Sequence, residues 1–237
     1  MSKKKMTDIS YIVASTPRSG TGYAAEVFSA MGMQCGHEKA INPYVKEYSR
    51  ASEGIWGDAS WLAAPFLSNC PKTTVVLHQL RDPVKSLDSM MTRRQIRGKW
   101  KPGQESPRGE YTNFLKKYVN DWESDESAQE RLVRFWVEWH TLIEESASSR
   151  GLRYFRYRIE DINENLLLSI ADQVGATVSS EQVEKALSIS TRVNHHAGKA
   201  KRINPWAAQH LKSNKNAMAE RLLSLSAGYG YDQNPSD

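Results

Sequence analysis

Two short apolar runs, each followed by a turn and then a helical stripe, narrow the possible folds of this chain sharply. The first, Ile9 to Ser15 (ISYIVAS), is β-rich and bounded by Pro17 and Gly20, which reads as a buried strand. Behind it Ala24, Val27, Phe28 and Met31 recur at i, i+3, i+4 and i+7, the stripe of an amphipathic helix that Gly32 ends. The second run, Thr73 to Leu80 (TTVVLHQL), is another buried strand. Asp82 and Pro83 then supply an N-cap and a first helical residue, and Val84, Leu87 and Met91 continue the helical stripe. Strand–turn–helix occurring twice predicts a three-layer α/β fold with a central parallel sheet flanked by helices.

The remaining segments fit one domain over residues 1–237, with no internal repeat, low-complexity tract or linker. Residues 98–110 (GKWKPGQESPRGE), with three Gly and two Pro, read as a long surface loop. Leu132, Phe135, Trp136, Trp139, Leu142 and Ile143 mark a helix from about 127 to 147, the aromatics at core spacing. Leu152 to Ile159 alternates as a strand and Ile162 to Val174 is helical. Residues 190–205 read as irregular and basic, and a last helix spans roughly 206–226.

Composition excludes several classes. Mean hydropathy is −0.62, and no apolar run approaches the ~20 residues needed to span a bilayer. Met1 to Lys5 resembles a signal-peptide n-region, but Thr7, Asp8 and Ser10 follow where an apolar stretch of ~7–15 residues is required. Cys35 and Cys70 have no CxxC or Cys/His spacing, so neither a disulfide scaffold nor a metal site is expected, and the expected compartment is the cytosol. Thirty-two Lys and Arg against 27 Asp and Glu give +5. That excess suits an anionic ligand and is too small to point to nucleic acid.

The turn after the first strand, Ser15-Thr16-Pro17-Arg18-Ser19-Gly20-Thr21-Gly22-Tyr23, names the kind of anion site. At a strand-to-helix junction, backbone N–H groups and the positive end of the helix dipole converge on an anion. Gly20 and Gly22 permit close backbone approach, Ser19 and Thr21 carry hydroxyls, and Arg18 offers a charged fork. The nucleoside-triphosphate P-loop, G-x-x-x-x-G-K-[ST], needs an earlier Gly and a Lys after the Gly, and both are missing. The dinucleotide fingerprint G-x-G-x-x-G fails at Ala25.

Pro17-Arg18-Ser19-Gly20-Thr21 resembles the 5′-phosphosulfate loop of sulfotransferases that use 3′-phosphoadenosine-5′-phosphosulfate (PAPS). Arg18 stands where the carbohydrate and tyrosylprotein branches have Arg and the cytosolic small-molecule branch has Lys. The likeness is therefore to the former, in a soluble bacterial or viral type. The resemblance implies a P-loop-like fold and assigns the 5′-phosphosulfate to residues 17–22. Tyr23 matches the aromatic that stacks on adenine. Arg81-Asp82-Pro83, with Ser89 eight residues after the Arg, resembles the family's 3′-phosphate site. There Arg81 and Ser89 would pinch a phosphate between a fork and a hydroxyl. Asp82, Ser86, Ser89 and Arg93 share a helix face opposite the apolar stripe, which leaves that face for a ligand. Gly198, Lys199 and Arg202 in AGKAKR resemble the Gly-Lys-x-Lys segment that closes over the nucleotide. Arg156 to Ile162 and Leu223 to Tyr231 echo the family's Arg-Tyr-Glu-Asp strand end and its terminal Gly-Tyr helix end.

For the chemistry, the resemblance implies in-line sulfuryl transfer from PAPS to a hydroxyl acceptor (a sugar, phenol or peptide), with no metal and with a base that removes the acceptor proton. Glu38, twenty positions after Arg18, matches the spacing of the catalytic Glu in tyrosylprotein sulfotransferases. Arg18 joins it as a catalytic candidate, and His37 is the alternative base, since imidazole titrates near ~6.5. Asp58 and His78 follow, His78 reading better as a core histidine. Gly54 to Trp61 resembles a pocket-lining Gly/Ser/Trp segment of bacterial relatives, where Trp56 and Trp61 either stack an acceptor or pack the core. Arg93, Arg94, Arg97, Lys99 and Lys101 either steer an anionic acceptor or form a solvated face. A nucleoside-triphosphate kinase and a non-catalytic nucleotide-binding protein are the competing readings.

Overall fold

The strand that opens the sequence pattern, β1 (Tyr11–Ala14), is the middle of the sheet and has no exposed residue. The computed structural model describes residues 9–41, 54–92, 107–122, 127–193 and 205–231, with the backbone alone for 107–112 and 190–193. Two compact units make up the chain, Met1–Arg81 with Leu142–Ala200 and Asp82–Thr141 with Lys201–Asp237.

The first unit holds the sheet. Along the chain come β1, α1 (Thr21–Ala30), β2 (Gln34–His37), β3 (Trp56–Ser60), a 3-10 segment (Trp61–Asn69) and β4 (Val75–Leu80). The chain returns to it through the end of a long helix for β5 (Arg153–Arg158), a 3-10 turn (Ile159–Asp161) and two helices, Glu164–Val174 and Ser180–Val193. The strands lie in the order β2-β3-β1-β4-β5, all parallel. β1 and β4 are covered on both faces, which is why they read as unbroken apolar runs. Tyr11, Val13, Val75, Leu77 and Tyr157 pack under α1 and the two late helices, against Phe28, Ile170 and Val183. On the opposite face Glu144 accepts from Tyr154 and Arg156, so residues 142–150 lie there. From β1 the chain proceeds to one side of the sheet, and β4 is adjacent to the strand that closes the other side. The carboxyl ends of β1 and β4 therefore bracket a topological switch point, where open α/β sheets bind ligands.

The second unit is helical: α2 (Pro83–Met91), α3 (Pro107–Tyr118), α4 (Ala128–Arg150, which enters the first unit at 142), and, after the first unit's α5 (Glu164–Val174) and α6 (Ser180–Val193), α7 (Ala207–Ser213) and α8 (Ala217–Gly228). A Ser127/Glu130 capping box opens α4. Phe135, Trp136 and Trp139 are fully buried, in edge contacts with Trp122, His140 and Phe114, as their spacing predicts.

Four expectations are corrected. The loop expected over 98–110 gives way to helix at Pro107, because proline needs no N–H partner in a first turn. The irregular stretch expected over 190–205 is helical to Val193. The single last helix is two, since Asn214 is extended and the Asn216 side chain caps a new start by accepting from Ala219 N at 2.9 Å. The polar face of α2 is not open: Ser86 and Ser89 are buried at 0% and 5% exposure. Asp88 on that helix accepts the Trp206 and Ala207 N–H groups at 3.0 and 2.9 Å, which brings the start of α7 onto it. No helix among the described residues is long and apolar enough to cross a membrane.

Candidate functional site

The backbone after β1 does the first part of the work. Ser15 to Pro17 are buried, and the Ser15 hydroxyl donates to the Gln79 carbonyl at 2.6 Å. Arg18 (φ 69°) and Gly20 (φ 88°) take left-handed conformations. A Cβ on Gly20 would stand 2.3 Å from Ile159 Cδ1, the movable end of a half-buried side chain, so it is the left-handed conformation that calls for glycine here. Left-handed Gly20 followed by helical Thr21 forms the concave N–H arrangement that binds anions, and no side chain caps α1. The carbonyls, by contrast, are committed elsewhere. Arg18 O accepts from Arg81 Nη1 at 2.6 Å, Ser19 O from Gln79 Nε2 at 2.6 Å, and Gly20 O from Ala24 N at 2.9 Å. Donors left over and acceptors used up make a cradle for negative charge.

Individual side chains differ from the simple expectation of a ring of hydroxyls. Ser19 is buried and its hydroxyl meets Thr16 Oγ1 at 2.7 Å. Thr21 Oγ1 lies 3.2 Å from His37 Nε2. Arg18 is exposed, while Tyr23 is half-buried against the core under α1.

β2 delivers the candidate base. Its last residue is His37, and Glu38 (φ 55°) extends the ladder by donating its N–H to Ala59 O at 3.1 Å. The next three N–H groups, of Lys39, Ala40 and Ile41, all go to the Asp58 carboxylate at 3.0–3.1 Å. Asp58 is thus held as the anchor of this turn. Burial raises its pKa, and those three bonds oppose the rise. Gly36 faces it, and a Cβ there would reach within 2.5 Å of Asp58 Oδ1. The Glu38 carboxylate stands 3.6 Å from His37 Nε2 with its side chain 23% exposed. Burial lifts its pKa above the usual carboxylate range, the Asp58 charge adds to the rise, and His37 and a Trp61 hydrogen bond oppose it. Thr21, His37 and Glu38 form a polar chain from the start of α1 to the candidate base.

The carboxyl ends of β1, β2 and β4 therefore bring residues 18–22, His37, Glu38 and Arg81 to one end of the sheet. Ser89 is buried in α2 of the other unit, where its carbonyl accepts from Thr92 Oγ1 at 2.7 Å. Gly198, Lys199 and Arg202, with the basic residues 93–101, lie outside the described residues. Trp56 and Trp61 are 4% and 9% exposed, as core residues are. His78 is fully buried and hydrogen-bonded to the Tyr154 hydroxyl. Among the described residues no cluster of His, Cys, Asp and Glu is arranged to hold a metal ion. Sequence reasoning missed Gln79, which meets Tyr157 of the Arg156–Ile162 segment (Tyr157 hydroxyl to Gln79 Oε1, 2.6 Å). The available signal was an amide inside a strand otherwise reading as buried and apolar.

No protein-family model and no curated protein matches the sequence. Among solved structures, a sulfotransferase from Alicyclobacillus acidocaldarius is similar, with a TM-score of 0.55 over 96% of this chain and 98% of that one. At 11% identity the likeness is one of fold.

Proposed function

We propose that this chain is a sulfotransferase that moves a sulfuryl group from PAPS to a hydroxyl acceptor on a small molecule or glycan. One observation carries the reading: Arg81 at the end of β4 donates to the backbone of the β1–α1 turn, so the two family-like motifs adjoin. The fold shared with a bacterial sulfotransferase supports it. The residues present fit the donor: an uncapped helix start, a glycine cradle and two arginines suit a ligand with anionic groups at two positions.

PAPS, when bound, supplies an activated sulfuryl group whose bond to the 5′-phosphate breaks as the acceptor oxygen bonds to sulfur, leaving adenosine 3′,5′-bisphosphate. The N–H groups of Gly20, Thr21 and Gly22 hold the 5′ end, and Arg18 offsets charge on the transferring oxygens. Arg81 would take the 3′-phosphate, and the family resemblance alone assigns Lys199 and Arg202 to the nucleotide; Ser89, buried in α2, is not counted among its ligands. Glu38 removes the acceptor proton at its carboxylate oxygen. Its raised pKa makes it a better proton acceptor near neutral pH than an ordinary surface carboxylate. His37, bonded to Thr21, orients that carboxylate.

The test is thermal unfolding with adenosine 3′,5′-bisphosphate in the presence of a metal chelator, set against ATP with Mg²⁺. At ~100 times its Kd the bisphosphate should stabilise the protein by about 2.7 kcal/mol. Stabilisation by ATP and Mg²⁺ with none by the bisphosphate refutes the reading in favour of a kinase.

A further inference from the structure

We infer that Gln79, oriented by Tyr157, is a positioning residue that sets the anion-binding face of the β1–α1 turn. This rests on the sulfotransferase reading and adds to it a residue that takes no part in contacting the ligand. Gln79 is fully buried on β4 and both ends of its amide are engaged. Its Nε2 donates to Ser19 O and its Oε1 accepts from the Tyr157 hydroxyl, each at 2.6 Å. The orientation of the amide follows from its partners. A carbonyl oxygen only accepts, so the nitrogen must face Ser19 and the oxygen must face Tyr157. Burial holds the Tyr157 pKa well above its ordinary value, which keeps the hydroxyl protonated and donating.

The consequence lies in the peptide plane. Ser19 C=O and Gly20 N–H belong to one trans peptide and point in opposite directions. Holding the carbonyl down toward β4 therefore points the Gly20 N–H away from the sheet, into the anion cradle. The opposite orientation is sterically open to this peptide because its second residue is glycine. Flipping it would aim a carbonyl oxygen at the ligand's negative charge. Arg81 holds the preceding carbonyl, Arg18 O, but the Ser19 N–H of that peptide turns back to Thr16 O at 3.4 Å, so only the Gln79 bond directs an N–H at the cradle. Gln79 differs in being enclosed, so its bond answers only to the protein and persists with or without ligand.

The experiment measures affinity of wild type and Gln79→Met for two nucleotides, adenosine 3′,5′-bisphosphate and adenosine 3′-monophosphate, which lacks the 5′ group. The variant keeps the side chain's length and loses both polar ends. Affinity for the bisphosphate is expected to fall about tenfold or more while affinity for the 3′-monophosphate stays within about twofold. Equal losses for both nucleotides mean general damage and overturn the inference, as does no loss for either. A wild-type protein that binds neither nucleotide removes the sulfotransferase reading and this inference with it, whereas the other two failures leave the reading intact. Should Gln79→Met fail to fold, Tyr157→Phe removes one hydroxyl. It should weaken the bisphosphate alone by about threefold, and unchanged binding overturns the inference.

Discussion

The two strand-to-helix turns look alike in sequence and are built on opposite plans. In the β1–α1 turn no side chain caps the helix, two residues sit in the left-handed region, and the carbonyls of residues 18–20 are already bonded. At the start of α2, the Asp82 side chain accepts the Lys85 N–H at 3.1 Å and Pro83 has no N–H to offer, so this helix start carries the side-chain cap that α1 lacks. An apolar strand followed by a polar turn thus does not by itself make an anion site. In the proposed reading the first turn would bind through its backbone, with glycine at its left-handed position, and the second would contribute through side chains such as the Arg81 guanidinium.

Glu38 lies on neither turn, so changing it should separate chemistry from binding. Glu38→Gln is expected to cut turnover by about 10²–10⁴-fold with bisphosphate affinity nearly unchanged, read by initial rates and calorimetric titration. A general base works ionised, and burial raises the Glu38 pKa, so the proposed role carries a pH signature. Wild-type activity should therefore fall on acidification at a pH above the ordinary carboxylate range, and that acid limb should be missing from residual activity in the Gln variant. Gly20→Ala strikes the backbone plan directly. It forces a Cβ against Ile159 at a left-handed position, which should weaken the bisphosphate about 100-fold and lower stability by about 1–3 kcal/mol in denaturant titrations. Arg81→Ala should weaken it about 10–100-fold, with little recovery in Arg81→Lys, because an ammonium cannot reproduce the fork. Asp82→Ala gives the smallest effect, a loss of about 1 kcal/mol in stability from the missing cap and unchanged bisphosphate affinity. Near-equal effects of Gly20→Ala and Asp82→Ala on affinity would erase the contrast between the turns.

The same contrast explains what could be read in advance. β1 and β4 announced themselves because strands covered on both faces must be apolar throughout, and the Asp82-Pro83 cap is local chemistry. β2 (QCGH) and β3 (WGDAS) carry little strand propensity and are strands through their ladders to each other and to β1. Gly57 belongs there because a Cβ would stand 2.4 Å from the Tyr11 ring, a demand visible only once the strands are paired. The spacing from Arg18 points to Glu38 as a candidate, whereas Asp58, a further candidate base by sequence, is the anchor of the turn that follows it, which only the folded chain reveals. The Gln79 hub was hidden by distance along the chain, its partners lying 60 and 78 residues away.

A crystal soaked with adenosine 3′,5′-bisphosphate examines the whole proposal at once. The 5′-phosphate should accept from the Gly20, Thr21 and Gly22 N–H groups while the Arg81 guanidinium reaches the 3′-phosphate. A nucleotide bound elsewhere on the sheet, with the β1–α1 turn untouched, would contradict it.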